Sequence, residues 1–406
     1  KNVWKEMIET ADKHYEPGKF TTFPAFEWTS NPNSQNLHRV VLFQNSKTLP
    51  EIAYSAMDSD KPEDLWDWME LQRNNGSTLF AVPHNGNASN GLMFPVETSY
   101  GGSNVKTLEY AQTRMRNEPL YEISQIKGTS ETHPFLSKND EWASFETGNR
   151  SIDNPKGSYV RNAYLRGLTL AEQGITNPYK FGLIGSSDAH IGGGSDNEEV
   201  YFSKIGILDG TAELRGSIPF NRFYGTILKL IRPNAINEVD GKNYLAFSSR
   251  LIHWSASGLA GVWAEENTRE SIYDAFRRKE TFGTSGPRIK VRFFAGYGLA
   301  NAQLNSLNLV SELYKRATSM GGTLKAEGEE EPVFLVWAIS DALGAPLQRT
   351  QIIKGWLEDG EHQEKVYDVS CSDGLKVNSQ THRCPDNRAR VNLNDCSYDK
   401  DVGASE

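Results

Sequence analysis

Asp188 and His190 stand two residues apart in Ser187-Asp188-Ala189-His190, directly after the apolar run Phe181-Gly182-Leu183-Ile184-Gly185. The run reads as a buried strand, so the pair is presented at a strand end. A carboxylate and a neutral imidazole are both deprotonated near neutral pH, which is what a metal ligand requires. Ser, Asp and Gly also make ordinary turns, and this stretch alone fits a turn equally well. Other segments carry similar cargo. Glu27 closes the aromatic run over 20–29, His38 opens the apolar run over 37–43, and His84 follows Leu79-Phe80-Ala81-Val82-Pro83, with Asn85-Gly86 behind it. A single strand-end histidine is usually structural. Several such placements, all Asp, Glu or His, point to strand ends gathered on one face, where α/β sheets and β/α barrels bind ligands.

The elements that must position these residues alternate in type up to about Gly286. Helical patterns occupy 3–11, 62–71, 158–173 and 268–278, with Asp60 as a candidate cap for the second and Asn267 or Thr268 for the last. Asn75-Gly76 and Gly174 act as stops. Strand patterns cover 79–86, 120–126 and 181–185. Strands alternating with helices predict a parallel α/β sheet or barrel. Beyond Gly286-Pro287 the stretches 289–296, 332–338 and 351–356 read as strands with little helix between them. The chain therefore divides into 1–288 and a small β-rich domain over 289–406.

The length of 406 residues agrees with two domains, and the formal charge of -9 argues against a nucleic-acid surface. No apolar run approaches the roughly 20 residues needed to cross a bilayer. The acidic run Glu329-Glu330-Glu331 reads as a solvated turn. Cys371, Cys384 and Cys396, the only cysteines, lie in a polar tail that cannot bury much core. A disulfide there would staple it, and favours a periplasmic or secreted location over a cytoplasmic one. There is no Gly-rich phosphate loop and no Gly-x-Ser-x-Gly elbow.

In their order along the chain, Glu27, His38, His84, Asp188 and His190 resemble the ligands of the PHP (polymerase and histidinol phosphatase) superfamily. The chain is more closely similar to a large PHP-like metallohydrolase family labelled as of unknown function. The resemblance runs through the first 288 residues or so. It rests on Phe26-Glu27-Trp28-Thr29, Leu37-His38-Arg39, Val82-Pro83-His84-Asn85, Glu122-Ile123, 185–190, Val262-Trp263-Ala264-Glu265-Glu266 and Thr284-Ser285-Gly286-Pro287-Arg288. It implies a distorted TIM-like β/α barrel with up to three divalent ions, zinc, manganese or iron, at the strand C-termini. It implies Glu27 as the bridging carboxylate, His38 and His84 completing one metal site, and Asp188 and His190 serving neighbouring ones. The implied reaction is hydrolysis of a phosphoester in a small phosphorylated substrate by metal-activated water, with Glu27, Asp188 and His190 in catalytic roles. Alternatives are hydrolysis of an amide or phosphonate ester, or a barrel that binds metal and ligand without turnover.

One departure stands out. The superfamily carries a His-x-His strand ahead of the segment matching Glu27, and this sequence has none; its first histidine, His14, sits in a charged helical pattern facing solvent. The sequence thus reads as truncated at both ends, lacking the first barrel strand. On that reading it binds one metal ion or none and has little or no activity alone. Arg39, Asn85 and Glu122 are candidate substrate-binding residues, with Arg288 as a further phosphate contact, because Arg forks onto phosphate. Arg39 and Arg288 taken singly fit structural roles better. His133 is a weaker site candidate, and His253 reads as structural.

Overall fold

The computed structural model describes residues 2–148, 152–193, 204–206, 209–214, 216, 218–246, 254, 258–300, 304, 306–326, 328–392, 395 and 397–406. His253 and Cys396 lie outside the described residues. The chain opens on helix α1 (Val3–Lys13), whose N-terminus is capped by Asn2 accepting from Lys5 N at 3.2 Å. Its buried Trp4 packs edge-on against Phe26, 5.7 Å between ring centroids. Phe26 belongs to strand β1 (Ala25–Trp28), which pairs antiparallel with β2 (Arg39–Phe43), itself antiparallel to β3 (Leu79–Pro83).

Helix α2 (Pro62–Asn74) starts with Pro62 in its first turn, where a missing N–H costs nothing. Its N-cap is Lys61, not Asp60; the Asp60 carboxylate instead accepts from Tyr100 Oη at 2.7 Å. Asn75 and Gly76 end the helix as read, with Gly76 at a φ of 94°. Helix α3 (Leu108–Asn117), capped by Thr107, leads into β4 (Leu120–Gln125) and the short β5 (Gly128–Thr129). Helix α4 (Val160–Glu172) is the crossover to β6 (Gly182–Gly185), which runs parallel to β4. The main core lies under α2 and α3, built on Trp28, Val41, Leu65, Trp66, Met69 and Tyr110.

Helix α5 (Arg222–Ile231) precedes a hairpin of β7 (Ile236–Val239) and β8 (Lys242–Leu245). Strands β9 (Leu259–Val262) and β10 (Thr281–Thr284) flank helix α6 (Arg269–Arg278) and pair antiparallel. The cap of α6 is Thr268, accepting from Ser271 N. Strand β10 packs against β6 so tightly that a Cβ on Gly283 would lie 2.5 Å from Gly185 N. Only glycine allows that approach.

The expected TIM-like barrel is not what the chain forms. Among the described residues the strands make small separate sheets of two or three strands, with no closed barrel. Alternation of strand and helix patterns does not fix strand direction. The stretches joining β1 to β2 and β2 to β3 return the chain antiparallel, whereas a β/α barrel needs a parallel crossover at every step. The pair β4–β6 is the one parallel ladder among the described residues.

Beyond residue 288 the β-rich reading meets one helix, α7 (Leu309–Arg316), beside the sheet of β11 (Lys290–Gly296), β12 (Thr318–Ser319) and β13 (Val333–Ile339). Phe294, Leu299, Leu309 and Leu313 form its own small core. A long hairpin follows, β14 (Arg349–Glu358) with β15 (Glu361–Cys371), and docks on α4. Arg161 of α4 pairs with Asp140 at 2.6 Å and Glu364 of the hairpin at 3.4 Å. Cys371 and Cys384 form a disulfide. Among the described residues no helix is long and apolar enough to cross a membrane.

The hairpin is fastened by Asp368, whose side chain is fully buried. It accepts from Cys384 N at 2.6 Å and Gln351 Nε2 at 2.8 Å, and pairs with Arg349 at 3.2 Å and Arg383 at 3.4 Å. Burial raises its pKa, but these donors outweigh burial and leave it below the usual aspartate value. Such a group stabilises the fold above its unfolded pKa of about 4, and the contribution disappears as pH falls through the lower folded value. Asp368→Asn should therefore cost ~1.5–3 kcal/mol at pH 7, since Arg383 loses its charge partner and Arg349 keeps only Glu141. Denaturant melts of parent and variant should converge as pH drops below about 4. A gap that stays constant with pH would remove the ionic explanation.

Candidate metal centre

Period-2 alternation builds the first ligand group. Glu27 stands opposite Val40 in the β1–β2 register, and His38 lies two residues before Val40, on the same face. The β2–β3 ladder continues one step past its last pair, Arg39 with Pro83, because His84 N donates to His38 O at 3.2 Å. Glu27, His38 and His84 thus share one face at one end of the sheet. The imidazoles sit 5.5 Å apart at 85°. Glu27 Oε1 is 3.0 Å from His84 Nε2 and 3.0 Å from His38 Nδ1. The His38 nitrogen nevertheless lacks hydrogen-bond geometry to any partner. His84 Nε2 is hydrogen-bonded to Glu27, and with His38 Nδ1 as close the three atoms suit a shared cation.

Glu27 also joins a second group. Its Oε2 lies 3.7 Å from His190 Nε2, and His190 Nδ1 lies 3.9 Å from Asp188 Oδ1. Both Glu27–His38–His84 and Glu27–Asp188–His190 bring their ligand atoms within 4.8 Å of one another. Ligands about 2 Å from one ion must approach this closely. The turns that deliver them are left-handed at non-glycine residues, with φ of 55° at Asn85 and 52° at Asp188. Asn and Asp are among the residues that tolerate this region, which recurs at functional sites.

The family model described as "Protein of unknown function (DUF3604)" matches residues 1–406. The chain belongs to the DUF3604 family. No curated protein and no solved structure matches it.

In this DUF3604 chain burial and neighbouring charge act differently on each candidate ligand. Burial works to raise the Glu27 carboxyl, but the adjoining His38 and His84 rings hold it well below the usual glutamate range. Burial holds His38 below the ordinary imidazole value. Burial acts the same way on His84, yet Glu27, Glu122 and Asp188 together leave it raised. Burial opposes ionisation of Asp188, but Lys127, His84 and Lys204 keep it below the ordinary aspartate value.

The candidate substrate residues separate. Glu122 is buried on β4, accepts from Gln125 Nε2 at 2.9 Å, and is pushed up by burial while feeling the charges of His84 and Asp188. Its neighbour Tyr121 points oppositely, into the main core. Asn85 is buried beside His84, its Oδ1 accepting from Asn36 at 3.3 Å and its Nδ2 without a partner. Arg39 is not at the site. Alternation turns it to the face opposite His38, where it is buried, pairs with Glu118 at 3.0 Å and lies over Trp28. Arg288 is exposed, its backbone N–H donating to Asp341 at 2.7 Å. His133 stacks on Phe135 and joins neither ligand group. His14 is exposed, as read.

Sequence reasoning missed Lys127 and Lys204. Lys127 Nζ lies 2.6 Å from Asp188 Oδ2, and Lys204 Nζ lies 3.1 Å from the same oxygen. Lys127 had a readable signal, since it follows a strand whose end joins the same face. Lys204 stands in a stretch with no periodicity to place it.

Proposed function

We propose that this chain is a metal-dependent hydrolase using activated water, with phosphoesters as its substrate class. The observation that carries the reading is the meeting of Glu27, His38 and His84, at the ends of three strands, with ligand atoms within 4.8 Å of one another. Three protein ligands are the number found at open catalytic sites, where a position is left for water. Bound there, a divalent ion such as zinc or manganese lowers the pKa of a coordinated water and neutralises charge developing on phosphoryl oxygens. Glu27, ionised and with a second oxygen turned toward His190, orients both halves of the site. His190, about half exposed, stands where it can hold a proton for an incoming substrate. Asn85 Nδ2 is a buried amide donor beside His84, suited to an anionic oxygen. The resemblance of these ligands, in order, to those of PHP metallohydrolases supports the phosphoester class. The Cys371–Cys384 disulfide supports a periplasmic or secreted setting.

A panel of phosphomonoesters, phosphodiesters, phosphonate esters and amides, assayed with manganese or zinc and again with chelator, tests the reading. Phosphoester turnover should need metal and vanish in His38→Ala. Metal retention without turnover of any substrate would make the chain a binding module. Turnover of amides alone would move the reaction class.

A further inference from the structure

We propose that the Asp188 half of this site carries its own cations, Lys127 and Lys204, and that the centre therefore takes a single metal ion, at Glu27, His38 and His84. The inference rests on the metal-centre reading above and assigns its stoichiometry. Both ammonium groups converge on one carboxylate oxygen, at 2.6 and 3.1 Å. Neither is a surface lysine swinging through solvent, since their side chains are only 15% and 4% exposed. Lys204 is tied in by its backbone: its N–H donates to Asp209 Oδ2 at 2.8 Å, and its carbonyl accepts from His190 N at 2.8 Å. Its ammonium also donates to Asp188 O at 2.8 Å and lies 3.0 Å from His190 Nδ1. Lys127 is held in the turn after β4, its N–H donating to Gln125 Oε1 at 3.2 Å.

Charge decides the outcome. Buried charges persist where they are compensated. Two ammonium groups already more than compensate Asp188, and among the described residues Glu27 is the carboxylate of the pocket that no lysine pairs with. A divalent ion between Glu27 and Asp188 would sit a few ångströms from both lysines, in a setting where like charges repel strongly. The first group feels this less, because among the described residues the ion pairs to Glu27 come from histidines, and the Lys127 charge reaches it only at His38, without an ion pair. Asp188 then anchors the lysines, and His190 is held by the Lys204 segment rather than by an ion.

The test is metal stoichiometry of the full chain, loaded with excess manganese, freed of unbound ion and analysed by elemental mass spectrometry beside calorimetric titration. One ion per chain is expected, with Lys127→Arg unchanged. The Lys127→Met, Lys204→Met double variant should take up a second ion and show the exchange-coupled paramagnetic resonance of a manganese pair. Circular dichroism reports whether it has folded, and the parent measurement stands whether or not it has. Two or more ions in the parent overturn the inference and leave the metal-centre reading intact. A folded double variant that still holds one ion also overturns it. A parent that holds none removes the metal-centre reading and this inference together.

Discussion

His38→Ala should lower metal affinity by at least about 100-fold, at or above the top of the roughly 10- to 100-fold range typical of losing an outer-shell partner. His190→Ala should change it by less than about threefold, because His190 is half exposed and engaged by Lys204. The asymmetry follows from burial and aim. His38 contributes Nδ1 at 3.0 Å from Glu27, on a strand end fixed by a backbone hydrogen bond to His84. Affinity should also weaken as pH falls, since a bound ion must displace the proton that the raised pKa of His84 favours. Titration calorimetry at two pH values, with both variants beside the parent, reads these effects. Equal losses from the two substitutions would dissolve the distinction between the ligand groups.

The largest stability loss is expected at Glu118. This carboxylate is buried with two guanidinium groups, Arg39 at 3.0 Å and Arg114 at 3.3 Å, and accepts from Trp66 Nε1 at 2.9 Å. All three charged side chains are 3% exposed or less. Glu118→Ala leaves two buried cations without their partner, a change that costs about 3–5 kcal/mol. That is a large part of the 5–15 kcal/mol by which domains are typically stable. Glu118→Gln should recover the packing but not the charge, and fall between the two. Urea unfolding at neutral pH measures the differences. A loss below about 1 kcal/mol for the alanine variant would mean that the guanidinium groups find water or other partners, contrary to their burial.

The two predictions concern opposite faces of one strand. His38 and Arg39 are neighbours in sequence, and both were candidates for the site. The pleat sends one to the metal centre and the other to an ion pair beneath the sheet. Strand periodicity implied that the two residues face apart, but not which face would become the site. That depended on Glu118 and Trp66 lying under β2, contacts 79 and 52 residues apart along the chain for the pairs Arg39–Glu118 and Trp66–Glu118.

Sequence alone determined the local structure around the ligands and their chemical types. The helix over 268–278 with its cap at Asn267 or Thr268, the stop at Asn75-Gly76, the strands carrying Glu27 and Glu122, and the edges at His38 and His84 all follow from short-range propensity and alternation, and the structure selects Thr268. It also marked the tail cysteines Cys371, Cys384 and Cys396 as disulfide candidates, and the structure pairs the first two. Tertiary structure decided how strands pair, and there the barrel expectation failed: β1, β2 and β3 run antiparallel in a small sheet. Strand direction depends on where connections return the chain, a long-range property that no local pattern encodes. Tertiary structure alone also brought Lys127 and Lys204 onto Asp188, across sequence separations of 61 and 16 residues. A lysine leaves no periodic trace of burial, and its place is set by the carboxylate that compensates it.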